Sequence, residues 1–415
     1  MRRAVAILVL VIVGARAADA QAAANAVSNQ LIVGFERKVS ADRQGRIARS
    51  LGAKLRKRLS HIRAGVVRPR SGVALSLLRR RLAAHPDVAY VERDHFLRHA
   101  LAPNDPMFTQ QYALASNASG SVLAQPAWNT RTNCAKVAVL DTGIQYTHPD
   151  LEDNVWHNPD EKKNNGKDDD KNGYVDDYYG VNLVAGKGSG KDDEGHGTHV
   201  SGIIAARGNN GVGVSGLCWS AKVMAVKFMD SKGRGSTSDA VAGIDYAVKE
   251  GAKIINGSFG SSSKSKSLED EVEYAQDKGV LLAFAAGNDS ENIDSEPSYP
   301  ASFTNGNIIS VAAIAADNSL AGFSNFGAKG VDLGAPGNNI VSTYPQSTYK
   351  LLSGTSMATP FVAATAAILR QQDPDLTYGK LRSAIRDHVT ASPALAGKTV
   401  TGGQLDVAAA LASVP

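Results

Sequence analysis

The sequence predicts an α/β protein with a mostly parallel central sheet and helices on both faces, preceded by a small α+β domain. Three observations lead there. From about Trp128 onward, short apolar runs of strand length alternate with small-residue stretches of helical length. Residues 29–98 mix short strands and helices in a segment of very different charge. The chain of 415 residues exceeds one ordinary domain, so a division into parts is expected.

The elements follow in chain order. Arg2 and Arg3 precede an apolar run over residues 4–13 and small residues ending at Ala18-Asp19-Ala20, the layout of a secretory signal cleaved after residue 20. The apolar run is about half of the ~20 residues needed to cross a bilayer, so no stable membrane anchor is expected. Residues 21–100 then form the α+β unit: strands over 31–35, 65–68 and 88–92, and helices over 45–51 and 73–84. The stretch His99-Ala100-Leu101-Ala102-Pro103 has the small and turn-forming residues of an exposed, cleavable linker. In the main domain, residues 101–415, strands are expected over 137–140, 222–228, 254–256, 281–285, 308–314 and 331–334. Helices are expected over 199–206, 239–250 and 268–279.

The net charge of +5 conceals an asymmetry. Residues 27–100 carry 17 Lys and Arg against 5 Asp and Glu, whereas residues 101–415 sum to −9. A basic face for nucleic acid is therefore not indicated, and the two parts attract each other as a prosegment and its enzyme would. The two cysteines, Cys134 and Cys218, each lie just before an apolar run, so adjacent strands can bring them together in a disulfide. Two buried free thiols fit the sequence nearly as well.

Three motifs carry chemistry. Val137-Ala138-Val139-Leu140-Asp141-Thr142-Gly143 is an apolar strand ending in a carboxylate, where open α/β sheets gather functional groups. Gly195-His196-Gly197-Thr198-His199 is a glycine-flanked histidine opening a helix, and Gly354-Thr355-Ser356-Met357-Ala358-Thr359-Pro360 places a serine at another helix start. A serine hydroxyl is a weak nucleophile until a base takes its proton, and a carboxylate fixes the tautomer of that base. Ser356 is thus the candidate nucleophile, His196 the base and Asp141 its orienting acid. The free N–H groups at the start of the Ser356 helix suit a developing oxyanion. Asn288, after Ala285-Ala286-Gly287, offers a second donor.

In these motifs and in their order Asp, His, Ser, the sequence resembles the subtilisin-like serine protease family, nearest in pattern to its thermitase-type branch, over roughly residues 105–415. The resemblance implies a subtilisin-like catalytic domain, with Asn288 as the oxyanion-hole amide. It also implies that Asn256, Gly257, Ser258, Phe259 and Gly260 form the strand edge that pairs with an extended protein or peptide substrate. Gly257 stands where the family commonly has a bulkier residue, so an altered subsite is expected beside it. The small residues Ala285, Ala286 and Gly287 would wall the pocket for the residue before the cut and leave room for a sizeable apolar group. Residues 21–100 resemble the family's propeptide, an intramolecular inhibitor removed by self-cleavage, here expected near residues 99–102. The processed enzyme is expected to be secreted and monomeric.

Calcium is the expected cofactor. Asp168, Asp170, Asn172 and Asp176 with the carbonyl of Tyr174 match the first half of a calcium loop, although Tyr179 stands where an EF-hand has its bidentate glutamate. A further site is implied by the family resemblance: Asp105, Asp150 and Asn210 with the carbonyls of Arg207, Val212 and Val214. A rival function is a calcium-dependent adhesion or peptide-binding module on an inactive protease scaffold. Intact Asp141, His196, Ser356 and Asn288 argue against it, and the absence of a Gly-x-Ser-x-Gly elbow at Ser356 argues against an esterase.

Overall fold

A computed structural model of the chain describes residues 26–95, 101–115 and 118–414; the expected secretory signal and residues 99–100 of the cleavable linker lie outside them. The chain divides into two compact units, residues 1–99 and 100–415.

The first unit contains β1 (Ala26–Phe35), α1 (Ala41–Ser50), β2 (Ala53–Leu59), β3 (Ala64–Pro69), α2 (Leu75–Ala83) and β4 (Val88–His95). Its strands form an antiparallel sheet in the order β2-β3-β1-β4. Alternate residues Leu31, Val33 and Phe35 of β1 face the helices and meet Ile47, Leu78 and Leu82 in one core. Strand β2 was not expected. Its sequence Ala-Lys-Leu-Arg-Lys-Arg-Leu has only three apolar residues, because an edge strand with one solvated face needs few.

The second unit begins with α3 (Ala124–Trp128) and is built on β5 (Val137–Asp141), β6 (Gly180–Asn182), α4 (His196–Ala205), β7 (Val223–Lys227), α5 (Thr237–Lys249), β8 (Ile254–Gly257), α6 (Lys266–Asp277) and β9 (Leu281–Ala285). It continues through β10 (Ile308–Ile314), β11 (Leu333–Pro336), the hairpin β12 (Ile340–Tyr344) and β13 (Thr348–Leu352), α7 (Thr355–Gln372), α8 (Tyr378–Arg386), β14 (Thr390–Ala391), β15 (Gly403–Gln404) and α9 (Val407–Ala412). Among the described residues one sheet has the order β14-β15-β11-β10-β9-β8-β5-β7-β6 and is parallel except at β14.

Both faces of this sheet are covered, which is why its strands read as continuous apolar runs. Val137, Val139, Val223 and Ala283 pack with α4 and α7 on one side. Ala138, Leu140, Met224 and Phe284 pack with α5 and α6 on the other. Serine and threonine caps fix the helix starts: Ser236 accepts from Asp239 N–H, Ser265 from Leu268 and Thr377 from Lys380. Strand β5 lies between β8 and β7, so successive strands leave it in opposite directions. Functional groups at its carboxyl end therefore open onto the crevice of a topological switch point.

The expected elements of this unit are present with ends moved by one to three residues, and the sheet extends further than expected. The run expected at 331–334 is strand only from Leu333. Strands β6, β14 and β15 are too short to leave a pattern in sequence. Cys134 and Cys218 are joined in a disulfide, both side chains buried beside the β5–β7 pair.

Candidate active site

Asp141 ends β5, and its buried side chain faces the first turn of α4. Its Oδ1 accepts the Thr142 N–H at 2.8 Å and lies 2.7 Å from His196 Nδ1. Donation from Nδ1 leaves Nε2 as the basic nitrogen. Burial disfavours the charged imidazolium, but Asp141, aided by Glu194 and Asp192, outweighs it and raises the His196 pKa above 6.5.

The histidine is held by a network absent from the sequence reading. Buried Asp192 accepts from Thr142 Oγ1, Glu194 N–H and Gly195 N–H with Oδ1, and from Thr198 N–H and Oγ1 with Oδ2. Thr142 Oγ1 in turn accepts the Gly197 N–H at 2.9 Å. Buried Lys227, at the end of β7, donates to the Thr142 and Met229 carbonyls and to Asp193. One carboxylate thus stitches the aspartate strand to the histidine turn. His199, one turn into α4, is buried and donates through Nε2 toward the Ile340 and Lys350 carbonyls, 3.0 Å each, bracing the hairpin that leads to Gly354. Burial holds its pKa down at about 4.

Ser356 is the second residue of α7. Pro360, four residues on, has no N–H for the Ser356 carbonyl, and Ser258 Oγ donates to that carbonyl instead at 2.9 Å. The Ser356 hydroxyl donates back to the Ser258 carbonyl at 3.2 Å, and Asn256 Nδ2 donates to Ser258 Oγ at 3.0 Å. Asn288 is oriented by α7 itself: its Oδ1 accepts the Thr355 N–H at 2.8 Å and the Thr355 hydroxyl at 3.0 Å. That leaves Nδ2 to point elsewhere. A Cβ placed on Gly354 would sit 3.6 Å from both Asn288 Nδ2 and the Ser356 nitrogen and 3.7 Å from Asn288 Oδ1, so the amide group and the start of α7 lie side by side next to the nucleophile.

The substrate-edge residues are placed unevenly. Ser258 is buried, Phe259 half-buried against Phe228 and Phe284, and Gly260 exposed. At Gly257 a Cβ would lie 2.4 Å from the Phe284 ring, so the glycine makes room for the neighbouring strand's own side chain. Of the expected pocket wall, Ala286 is buried in a cluster with Ile293, Ala312 and Val331, and Ala285 is also buried. Gly287 alone of the three lines the cavity beside Asn288.

Two acidic groupings fit a hard cation. Asp105 accepts the Asn209 and Asn210 N–H groups at 2.7 and 3.2 Å, and Asp150 accepts Asn210 Nδ2 and the Val214 N–H at 2.8 and 2.9 Å. Both carboxylates thus converge on the loop over residues 207–214, where the Val212 N–H bonds Asn210 Oδ1 and the Arg207 guanidinium turns away to Asp153. Asp150 is wholly buried without a basic partner; burial, partly offset by Val214, Asn210 and Tyr349 and reinforced by Asp105, lifts its pKa to about 6. Glu161, Asp168 and Asp170 form the second grouping, with one carboxylate oxygen of each within 4.8 Å of the others. Glu161 was missed in sequence. It is buried, its Oε1 has no partner among the described residues, and burial raises its pKa. Asn172 lies beside Asp170 at 2.9 Å, and the Tyr174 N–H bonds Asn172 Oδ1. Asp176 is not brought to this group; its carboxylate accepts the Asn165 and Gly166 N–H groups and closes a turn. The chemistry of both donor sets suits calcium.

The model of the subtilase family matches residues 132–403, which include Asp141, His196, Asn288 and Ser356. The chain belongs to the subtilase family. A second model, the fervidolysin N-terminal prodomain, matches residues 14–94. Among subtilase relatives, Subtilisin-like protease 1 of Plasmodium vivax is 39% identical over 295 residues, 67% of this chain and 47% of that protein. Subtilisin BL of Lederbergia lenta is 41% identical over 256 residues, 62% of this chain and 83% of that protein. A solved protease of Pseudoalteromonas arctica PAMC 21717 matches with a TM-score of 0.64 and 30% identity, covering 75% of this chain and 99% of its own. The chain spans about half the length of the Plasmodium relatives it matches.

Proposed function

We propose that this subtilase is a secreted serine endopeptidase, made as a self-processing precursor, that cuts peptide bonds through an acyl-enzyme. The observation that carries the reading is the Asp141–His196 hydrogen bond, with Asn288 held against the helix start that bears Ser356 in the same unit. The Ser356 hydroxyl leaves the Ser258 carbonyl and attacks the scissile carbonyl carbon while His196 Nε2 takes its proton. Asp141 stabilises the resulting imidazolium, and Asn288 Nδ2 and the Ser356 N–H take the oxyanion. Collapse breaks the C–N bond as His196 returns the proton to the leaving amine. A water then repeats the sequence on the acyl-enzyme, releasing Ser356.

Asp105, Asp150 and Asn210, and Glu161, Asp168 and Asp170, would hold calcium, whose charge would neutralise these carboxylates and keep their loops folded. The basic first unit acts as intramolecular inhibitor until cleavage near residues 99–102. The test joins active-site labelling to mass spectrometry. A fluorophosphonate probe is expected on Ser356 of a secreted product starting in the linker, and casein hydrolysis is expected to vanish in Ser356→Ala. Hydrolysis that survives that substitution, or a mature start upstream of Val88, refutes the corresponding part of the reading.

A further inference from the structure

The cavity beside Asn288 differs from the apolar slot expected from sequence. It has a volume of about 500 Å³, within the range of small-molecule sites, and is bounded by Gly260, Ser261, Gly287, Glu291, Glu296 and Ser298, among others. Ser298 lies close to both glycines: a Cβ on Gly260 would stand 3.1 Å from Ser298 Oγ, and one on Gly287 would meet Asn325 Nδ2 at 2.3 Å and Ser298 Oγ at 3.3 Å, so glycine at both positions leaves room for the Ser298 and Asn325 side chains. Asn288 on the rim ties this cavity to the spot where the oxyanion would sit.

Its charge is one-sided. No lysine or arginine lines it, and among the described residues none of its three acids, Asp289, Glu291 and Glu296, belongs to an ion pair. All three stand on hydrogen-bonded backbone: the Asp289 N–H bonds Asn325 Oδ1 at 2.9 Å. The Glu291 N–H bonds Asn325 Oδ1 at 3.0 Å, the Glu291 carbonyl accepts from Phe326, and the Glu296 N–H bonds the Asn292 carbonyl at 2.9 Å. Apart from Gly260, Gly287 and Pro297, the lining offers hydroxyl, amide and carboxylate groups.

We propose that this cavity takes a long basic side chain, arginine or lysine, as the residue preceding the cut, with Glu291 and Glu296 as the specificity-determining acids. The inference rests on the endopeptidase reading above. The apolar stem enters beside Asn288, and the cationic head reaches the carboxylates. Arginine is favoured, because its planar fork pairs with carboxylates bidentately. Arg98 stands immediately before the linker that holds the proposed processing site.

The test measures kcat/KM of the processed full-length product, its concentration set by active-site titration, on five peptide coumarylamides identical except for Arg, Lys, Phe, Leu or Glu before the cut. Arg and Lys are expected to exceed Phe and Leu, with an advantage that shrinks as salt rises. Each of Glu291→Gln and Glu296→Gln is expected to lower the Arg-to-Phe ratio about two- to fivefold, and the pair roughly tenfold. Glu296→Lys is expected to raise cleavage after Glu. A parent enzyme that prefers Phe or Leu at low salt, or a ratio unmoved in the double variant while casein is still cut, overturns the cavity assignment alone. Loss of Ser356-dependent hydrolysis on every substrate, casein included, overturns the endopeptidase reading and this inference with it.

Discussion

Thr355 never touches substrate in the proposed mechanism, yet its hydroxyl makes two contacts that aim Asn288. It accepts the Gly287 N–H at 3.2 Å and donates to Asn288 Oδ1 at 3.0 Å. Thr355→Val keeps the shape of the buried side chain and removes both. The Thr355 N–H still holds Oδ1 at 2.8 Å, so the amide loosens without leaving. A hydrogen bond of this kind is worth about 0.5–1.5 kcal/mol net, which corresponds to a loss of about 2- to 12-fold in kcat. Because the oxyanion exists only in the transition state, KM is expected to stay near the parent value. Asn288→Leu sets the ceiling, since loss of the donor itself costs about 2.7–4 kcal/mol, or 10²- to 10³-fold. Steady-state kinetics on a peptide anilide, with concentrations fixed by active-site titration, separate the two variants. An unchanged kcat in Thr355→Val, or a loss equal to that of Asn288→Leu, would refute the positioning role.

Activity should fall on the acid side as His196 gains a proton, with its midpoint above 6.5 because the folded pKa is raised. By linkage, the stability from the Asp141–His196 pair is fully present below 6.5 and is lost as pH rises through the folded pKa; Asp141→Asn should remove that dependence and lower kcat by about 10⁴. Asp192→Asn should lower kcat more than it raises KM, since it frees the histidine turn rather than the substrate; a pure KM effect would count against it. Chelation by EDTA should lower the melting temperature, and Glu161→Gln and Asp150→Asn should each weaken calcium binding measured by calorimetry; a protein indifferent to both would lose its calcium assignment. Replacing Cys134 and Cys218 with alanine opens a bridge of sequence separation 84, for which chain entropy sets a ceiling of about 4–5 kcal/mol, so a loss of about 2–4 kcal/mol in denaturant unfolding is expected.

The sheet was legible because burial on both faces writes itself as runs such as Val137-Ala138-Val139-Leu140 and Leu281-Leu282-Ala283-Phe284. The triad candidates were legible through glycine-flanked motifs at strand and helix ends. What escaped depended on distance in sequence or on side-chain direction. Glu161 stands seven residues before Asp168 with no pattern to join them, and only the folded loop brings them within 4.8 Å. Asp192 and Lys227 look like surface charges until the turn and strand end carry them inside. The packing of Phe284 into the space at Gly257 depends on the partner strand, which the local sequence does not show.

Helix α7 runs through the middle of its unit, with Ala358, Ala363, Ala364, Ala366 and Ala367 wholly enclosed. An added methyl there has nowhere to go, so mutational drift along this helix penalises folding and turnover at once. Glu291 and Glu296 belong to an exposed surface stretch that α7 and its neighbours support but do not confine. Taste and engine are therefore separable: selection can rewrite which peptides are cut by changing that rim, while the buried rod behind it stays fixed.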